Sequence, residues 1–200
     1  MNLTNYQAAF GAAEMTGKAM KDALAQWREL YYRSAVTNGE DPCQRIAFTI
    51  VSKLVRTTFS EYSVQTDRDF ARQILQALDR LKETAVQVAM VEGECYLKPW
   101  ISPEGFGFTV IPRSNILIFA RDAAGNPTDI GTVEVSVRGN AYYTLLERRT
   151  ATAEGMCLEN RLFRSYDSGL LGQQVALSSH PDYRFLAAKC TYPAPVGVGL

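Results

Sequence analysis

Thr132-Val133-Glu134-Val135-Ser136-Val137-Arg138-Gly139-Asn140-Ala141-Tyr142-Tyr143-Thr144-Leu145-Leu146-Glu147-Arg148 is the stretch that decides the fold. Residues 132–137 alternate apolar and polar with period two, as a half-buried strand must, because successive side chains point to opposite faces. Arg138-Gly139-Asn140 supports a tight turn into a second strand at residues 142–148. The stretch Met156 to Phe163 pairs with that strand. Three consecutive strands joined by short turns make an antiparallel meander.

Working upstream, Ala124-Gly125-Asn126-Pro127 is a turn signal, and residues 115–119 and 106–111 read as further strands separated by Pro112. Residues 94–100 read as another, ending at a proline, Pro99. Before Gly93 the period changes from two to 3.6. One amphipathic helix is predicted from Lys18 to Ser34, carried by Ala23, Leu24, Trp27, Leu30 and Tyr31 and broken at Asn38-Gly39. A second starts at Asp41 as N-cap with Pro42 as its first residue. Its stripe of Ile46, Ala47, Ile50, Val51, Leu54 and Val55 is wide enough to face more than one neighbour. A third is predicted from Asp67 to Glu92, capped by Thr66, with Asp67 and Asp69 in its first turn and Gly93 as a left-handed C-cap. Roughly 25 residues at ~1.5 Å each would make one rod near ~38 Å. Downstream of Ser165 the glycines and prolines point to loops, and the ending Val196-Gly197-Val198-Gly199-Leu200 reads as the edge of a longer chain.

Helices first and strands afterwards predict an α+β fold. We expect a helical region over residues 1–92 and an antiparallel β region over residues 93–200, forming one integrated unit.

Composition narrows the function. Apolar residues make up 46% and charged residues 21%, which excludes an intrinsically disordered chain. Lys plus Arg number 21 and so do Asp plus Glu, giving zero formal net charge. Tight phosphate binding by the chain as a whole needs a basic excess, so that is disfavoured, whereas a neutral wall that DNA slides past is not. No apolar run approaches a membrane span, and the N-terminus has neither basic cluster nor apolar core of a secretory signal. Cys43, Cys95, Cys157 and Cys190 fall in no CxxC or CxxxC pair, so they match no common zinc spacing and no disulfide framework; reduced thiols are expected.

Four stretches carry residue types found in reactive sites. Gly105-Phe106-Gly107 lacks the third glycine and following helix of a phosphate loop, and a strand-edge turn explains it better. Glu92 and Glu94 flank Gly93 but have no ligand or nucleophile nearby in sequence. Ser178-Ser179-His180-Pro181-Asp182 holds the residue types of a triad, yet triad members come from separate elements, so a polar turn is expected. Arg148 and Arg149 follow Glu147 at the end of one strand and Arg161 and Arg164 lie on the next, so cross-strand packing could gather three arginines and Glu147 on one surface, either a solvated face or an interface or phosphate-facing patch. The pair Tyr142-Tyr143 must point to opposite faces, so one ring is exposed or covered by another surface. From the aromatic pair and the clustered cations we expect Tyr142, Tyr143, Arg148 and Arg161 to contribute to contacts between subunits. No catalytic, cofactor-binding or metal-binding residue is expected.

The stretch Tyr142 to Arg148, followed by Leu158-Glu159-Asn160-Arg161-Leu162-Phe163-Arg164-Ser165 and by Leu171-Gly172-Gln173-Gln174-Val175-Ala176-Leu177, resembles the portal proteins of long-tailed phages and prophages of Gram-positive hosts. Arg149 and Phe163 stand where that family often has His and Tyr. Trp27 and Tyr31 are similar to its opening Trp-x-x-x-Tyr helix, residues 46–55 to the helix that follows, and Gly93, Tyr96, Leu97, Lys98 and Pro99 to the junction of a long helix with a Leu-Lys-Pro strand. The resemblance spans residues 21–177 and rests on the order and spacing of these pieces.

It implies a structural, non-enzymatic subunit of the head-tail connector ring, typically of twelve copies in the family, through which double-stranded DNA passes without sequence specificity during packaging and ejection. It implies the wing of that subunit, with the stem and clip lying beyond residue 200. Partners would be further copies of the chain, and, through the full-length protein, the terminase, head-completion and capsid or scaffold proteins. Assembly would take place in the bacterial cytoplasm and the product would sit at the portal vertex of the virion. The alternative is another virion structural protein, such as a head-completion, tail or minor capsid component.

Overall fold

The computed structural model describes residues 4–32, 46–102 and 105–193. The predicted break at Asn38-Gly39, the start at Asp41-Pro42 and the chain end after Pro193 lie outside these residues. The described residues form helices followed by antiparallel sheets, the expected α+β order. By contacts the chain divides into two compact units, residues 17–114 and residues 1–16 with 115–200. This division does not fall at Gly93, where the sequence pattern changes from helix to strand. The first hairpin belongs with the helices, and the first helix belongs with the large sheet.

The large-sheet unit begins with α1 (Thr4–Phe10), a helix absent from the expectations above. Its strands are β3 (Ile116–Arg121), β4 (Pro127–Arg138), β5 (Ala141–Thr152), β6 (Gly155–Ser165), β7 (Gln173–Val175) and β8 (Lys189–Pro193), numbered after the hairpin strands β1 and β2 given below. The order is β3-β4-β5-β6-β7; its first four strands follow the predicted meander, and β7 lies in the stretch expected as loop. Gly139 turns β4 into β5 at φ 60°, in the left-handed region that a two-residue hairpin loop requires. The outer edge of β6 is shared. Its residues 162–164 pair with β7 and its residues 155–159 pair with β8.

Leu145 and Leu146 are neighbours on opposite faces of β5, and both are fully buried, so the sheet is covered on both sides. On one face α1 lays Tyr6 and Phe10 against Leu117, Val133, Leu146 and Phe163. Gly131 lies under that helix; a Cβ there would sit 2.8 Å from the Phe10 ring and 2.9 Å from the Phe119 ring. On the other face Ala141, Tyr143, Leu145 and Leu162 are covered by Val175, Leu177, Tyr183 and Leu186 from the C-terminal segment. The Met15 N–H donates to the Ile118 carbonyl at 2.7 Å, covering the free edge of β3 at that point.

The helical unit contains α2 (Lys18–Tyr32), α3 (Ile46–Phe59), α4 (Asp69–Asp79), α5 (Lys82–Glu92) and the hairpin of β1 (Cys95–Ser102) with β2 (Gly105–Pro112). α5 touches α2, α3 and both hairpin strands. It is correspondingly half-buried on most of its circumference, as expected of a central helix. Gly93 ends it at φ 82°, the expected positive-φ cap.

The single long helix expected from Asp67 to Glu92 is two helices of 11 residues. The break lies at Leu81, whose backbone (φ −122°, ψ −3°) leaves helical geometry. The Leu81 N–H bonds the Leu78 carbonyl, a tightened last turn, and the Leu81 carbonyl starts the next helix by accepting from Ala85. The cause is packing. α4 packs against β2, whereas α5 also packs against α2, α3 and β1, and one straight rod does not present a face to both sets. The helix start also moves. Arg68 occupies the N-cap position without a side-chain cap, and Thr66 instead accepts the Arg68 N–H at 3.3 Å, so Asp67 precedes the helix and Asp69 alone is in its first turn.

Candidate interaction surface

The four residues expected at subunit contacts are divided by β5 and β6. Tyr142, Thr144, Leu146 and Arg148 share the face under α1, and Tyr143, Leu145 and Glu147 share the other. Tyr143 is buried against His180, ring to ring at 4.8 Å, and His180 stacks on Tyr183 at 4.6 Å. Tyr142 is half-buried.

Both arginines hold α1. Arg148 makes a two-pronged pair with Asp129 (Nε to Oδ1 3.0 Å, Nη2 to Oδ2 2.7 Å) and donates through Nη1 to the Phe10 carbonyl at 3.0 Å. The Asp129 carboxylate raises the Arg148 pKa further above its ordinary value, against the opposing effect of burial. Arg161 donates through Nη1 to the Ala9 carbonyl at 2.6 Å. Carbonyls in the last turn of a helix have no intrahelical partner and carry the negative end of its dipole, so two cations there satisfy both needs. In the sequence these cations looked like a surface cluster because their acceptors lie about 140 residues away, on a helix too short to show a period.

What stays open on that face is apolar. Val135 and Val137 share the side of Val133 and are 41% and 64% exposed, next to Thr144 and Tyr142 on β5. Period-two alternation marked these valines as one face of a strand, and nothing local could show that α1 stops short of them. In the helical unit, Ala47, Val51 and Val55 of the wide α3 stripe are turned inward to different degrees. Ile46, Ile50 and Leu54, one turn apart, remain about half exposed or more. Leu30 and Tyr32 on α2 are similarly open.

The stretches with residue types of reactive sites resolve into packing. Gly107 lies against the Trp100 ring, where a Cβ would meet ring atoms at 2.2 Å, so it makes room for an indole. Glu92 is buried and accepts from Arg28, from the Ser114 N–H at 2.7 Å and from the Ser114 hydroxyl, while Glu94 pairs with Arg113 at 2.8 Å. Each acid thus has its own arginine, and the two do not form an acid–base pair. The Ser179 hydroxyl donates to the Ala176 carbonyl at 2.6 Å, and His180 Nδ1 accepts the Asp182 N–H at 3.3 Å, an arrangement with no serine activated by the imidazole. The Cys95 thiol donates to the Ala85 carbonyl, and burial, with Glu92 and Glu94 nearby, raises its pKa. Among the described residues no three His, Cys, Asp or Glu side chains gather as metal ligands. A groove of about 670 Å³ runs between α4 and residues 62–66, lined by Tyr62, Arg72, Leu75, Asp79 and Arg80. Arg72 is paired with Asp69, and Asp79 with Lys82. No described helix is long and apolar enough to cross a membrane.

No family model matches this chain, and neither the curated proteins nor the solved structures contain a match to it.

Proposed function

We propose that this chain is the front part of a phage portal subunit, a structural protein whose copies close into a ring around passing double-stranded DNA. The observation that carries this reading is the ordered series of sequence pieces from Trp27 to Leu177 that resembles the portal family. The pieces fall on successive elements: α2, α3, the α5–β1 junction, β5, β6 and the stretch containing β7. A subunit of a ring also needs apolar surface for its neighbours, and the open sides of α3 and of β4 supply it. Of the residues expected at the contact, Tyr142 is the one beside open apolar surface, with Val135 and Val137. Arg148 and Arg161 act on it indirectly by fixing α1.

In this role the chain transforms no substrate. Two faces of one subunit meet different faces of the next, and such head-to-tail contacts close only at one rotation angle, which a stiff subunit must hold. The doubly covered sheet supplies stiffness. The test is assembly of the complete gene product that contains this chain, followed by mass photometry, with Val137→Lys and Ile50→Glu as probes. Wild type is expected to give one large oligomer and both charged variants a shift towards monomer. A wild-type protein that stays monomeric, or variants that assemble unchanged, would remove the reading or the surfaces assigned to it, respectively.

A further inference from the structure

Three polar side chains stand in one cross-strand row inside the large sheet. Thr132 on β4 is paired with Glu147 on β5, and Glu147 is paired with Asn160 on β6. All three are at least 96% buried, on the face covered by the C-terminal segment. Asn160 is oriented by its own bonds, since Nδ2 donates to the Ala187 carbonyl at 2.9 Å and its backbone N–H donates to the Ala188 carbonyl at 2.8 Å. Its Oδ1 therefore points the other way, and among the described residues no protein group bonds it. The Thr132 hydroxyl is likewise buried without a protein partner among the described residues.

Donor and acceptor arithmetic decides what belongs there. An amide oxygen only accepts, so Asn160 Oδ1 needs a proton donor beside it. Arg149 Nε already donates to Glu147 Oε1 at 2.7 Å and balances its charge, so the row calls for a neutral guest rather than a cation. Leaving a buried polar atom unpaired costs about 1–3 kcal/mol. We propose that this row is an internal hydration site, in which one ordered water donates to Asn160 Oδ1 and a second bonds the Thr132 hydroxyl, on either side of Glu147. The site lies where the outer edge of β6 passes from β7 to β8, and it completes the side chain that clasps residues 187 and 188 to the sheet.

High-resolution diffraction from the whole chain tests this directly. Solvent density within about 3 Å of Asn160 Oδ1 and of Thr132 Oγ1 is expected. Dry surroundings, a direct bond from either atom to a protein group, or density at the ~2.4 Å spacing of a metal ion would overturn the proposal. In solution, Thr132→Val keeps the shape and removes the hydroxyl. If water is bound there, the folding equilibrium constant falls roughly tenfold, and Thr132→Ser restores most of it. A valine variant as stable as wild type or more so would mean that the hydroxyl had no partner, and would equally overturn the proposal.

Discussion

Arg148 and Arg161 reach carbonyl oxygens at the end of α1, the helix that carries Tyr6 and Phe10 into the core on its face of the large sheet. Hydrogen bonds to a charged donor contribute about 1.5–3 kcal/mol each. Arg148→Ala also leaves the Asp129 carboxylate without its guanidinium, so it is expected to cost about 3 kcal/mol by urea denaturation, more than Arg161→Ala. Equal losses in the two variants would count against this division of roles. Glu159 offers a pH test. Its hydrogen bond from Lys189, aided by the charges of Lys189 and Arg161 and opposed by burial, holds its carboxyl below the ordinary value. A carboxyl lowered in the folded state stabilises above its unfolded pKa and ceases to do so as pH falls through the lowered value. Because Lys189 is largely exposed, solvent screens the link and its effect stays local. The expected outcome is a selective fall in amide protection factors in β8 as the pH drops below the ordinary carboxylate range, with other strands still protected. Uniform loss across the sheet would refute it. The raised Cys95 pKa predicts slower alkylation at pH 8 than in the unfolded chain, and equal rates would show that the thiol is not held by Ala85.

At the scale of elements, Gly131 joins sequence to packing. Gly131→Ala would drive a methyl group into the Phe10 and Phe119 rings, and overpacking of this kind costs about 1–3 kcal/mol. Loss of the near-ultraviolet aromatic signal or displacement of α1 would report it, and an unperturbed variant would mean that α1 is not seated there. β4, β5 and β6 were legible because alternation, the Gly139 turn and their length all favour one pairing. α1 was not legible, since its seven residues hold only two core contacts and its partner strands lie more than 100 residues later. The division of α4 from α5 was hidden for a related reason. No glycine or proline marks Leu81, and only the different neighbours of the two halves require the break. β7 and β8 are three and five residues long and take their place from β6, so local pattern alone read them as loop. Of the contact residues, opposite facing of Tyr142 and Tyr143 was readable from the pleat, whereas the targets of the two arginines depended on α1.

For the whole molecule, two compact units leave apolar surface in excess of what their own cores use, on α3 in one and on β4 in the other. A zero formal net charge gives no basic excess for gripping phosphates, as the proposed ring role requires. The central claim is that copies of this chain, within its complete gene product, build a closed annulus. Negative-stain electron microscopy of that product, purified without DNA, tests it most directly. Ring-shaped particles with a central channel in end-on views are the predicted result. A homogeneous population of monomers or of open filaments, at concentrations and salt where the protein remains folded, would contradict it.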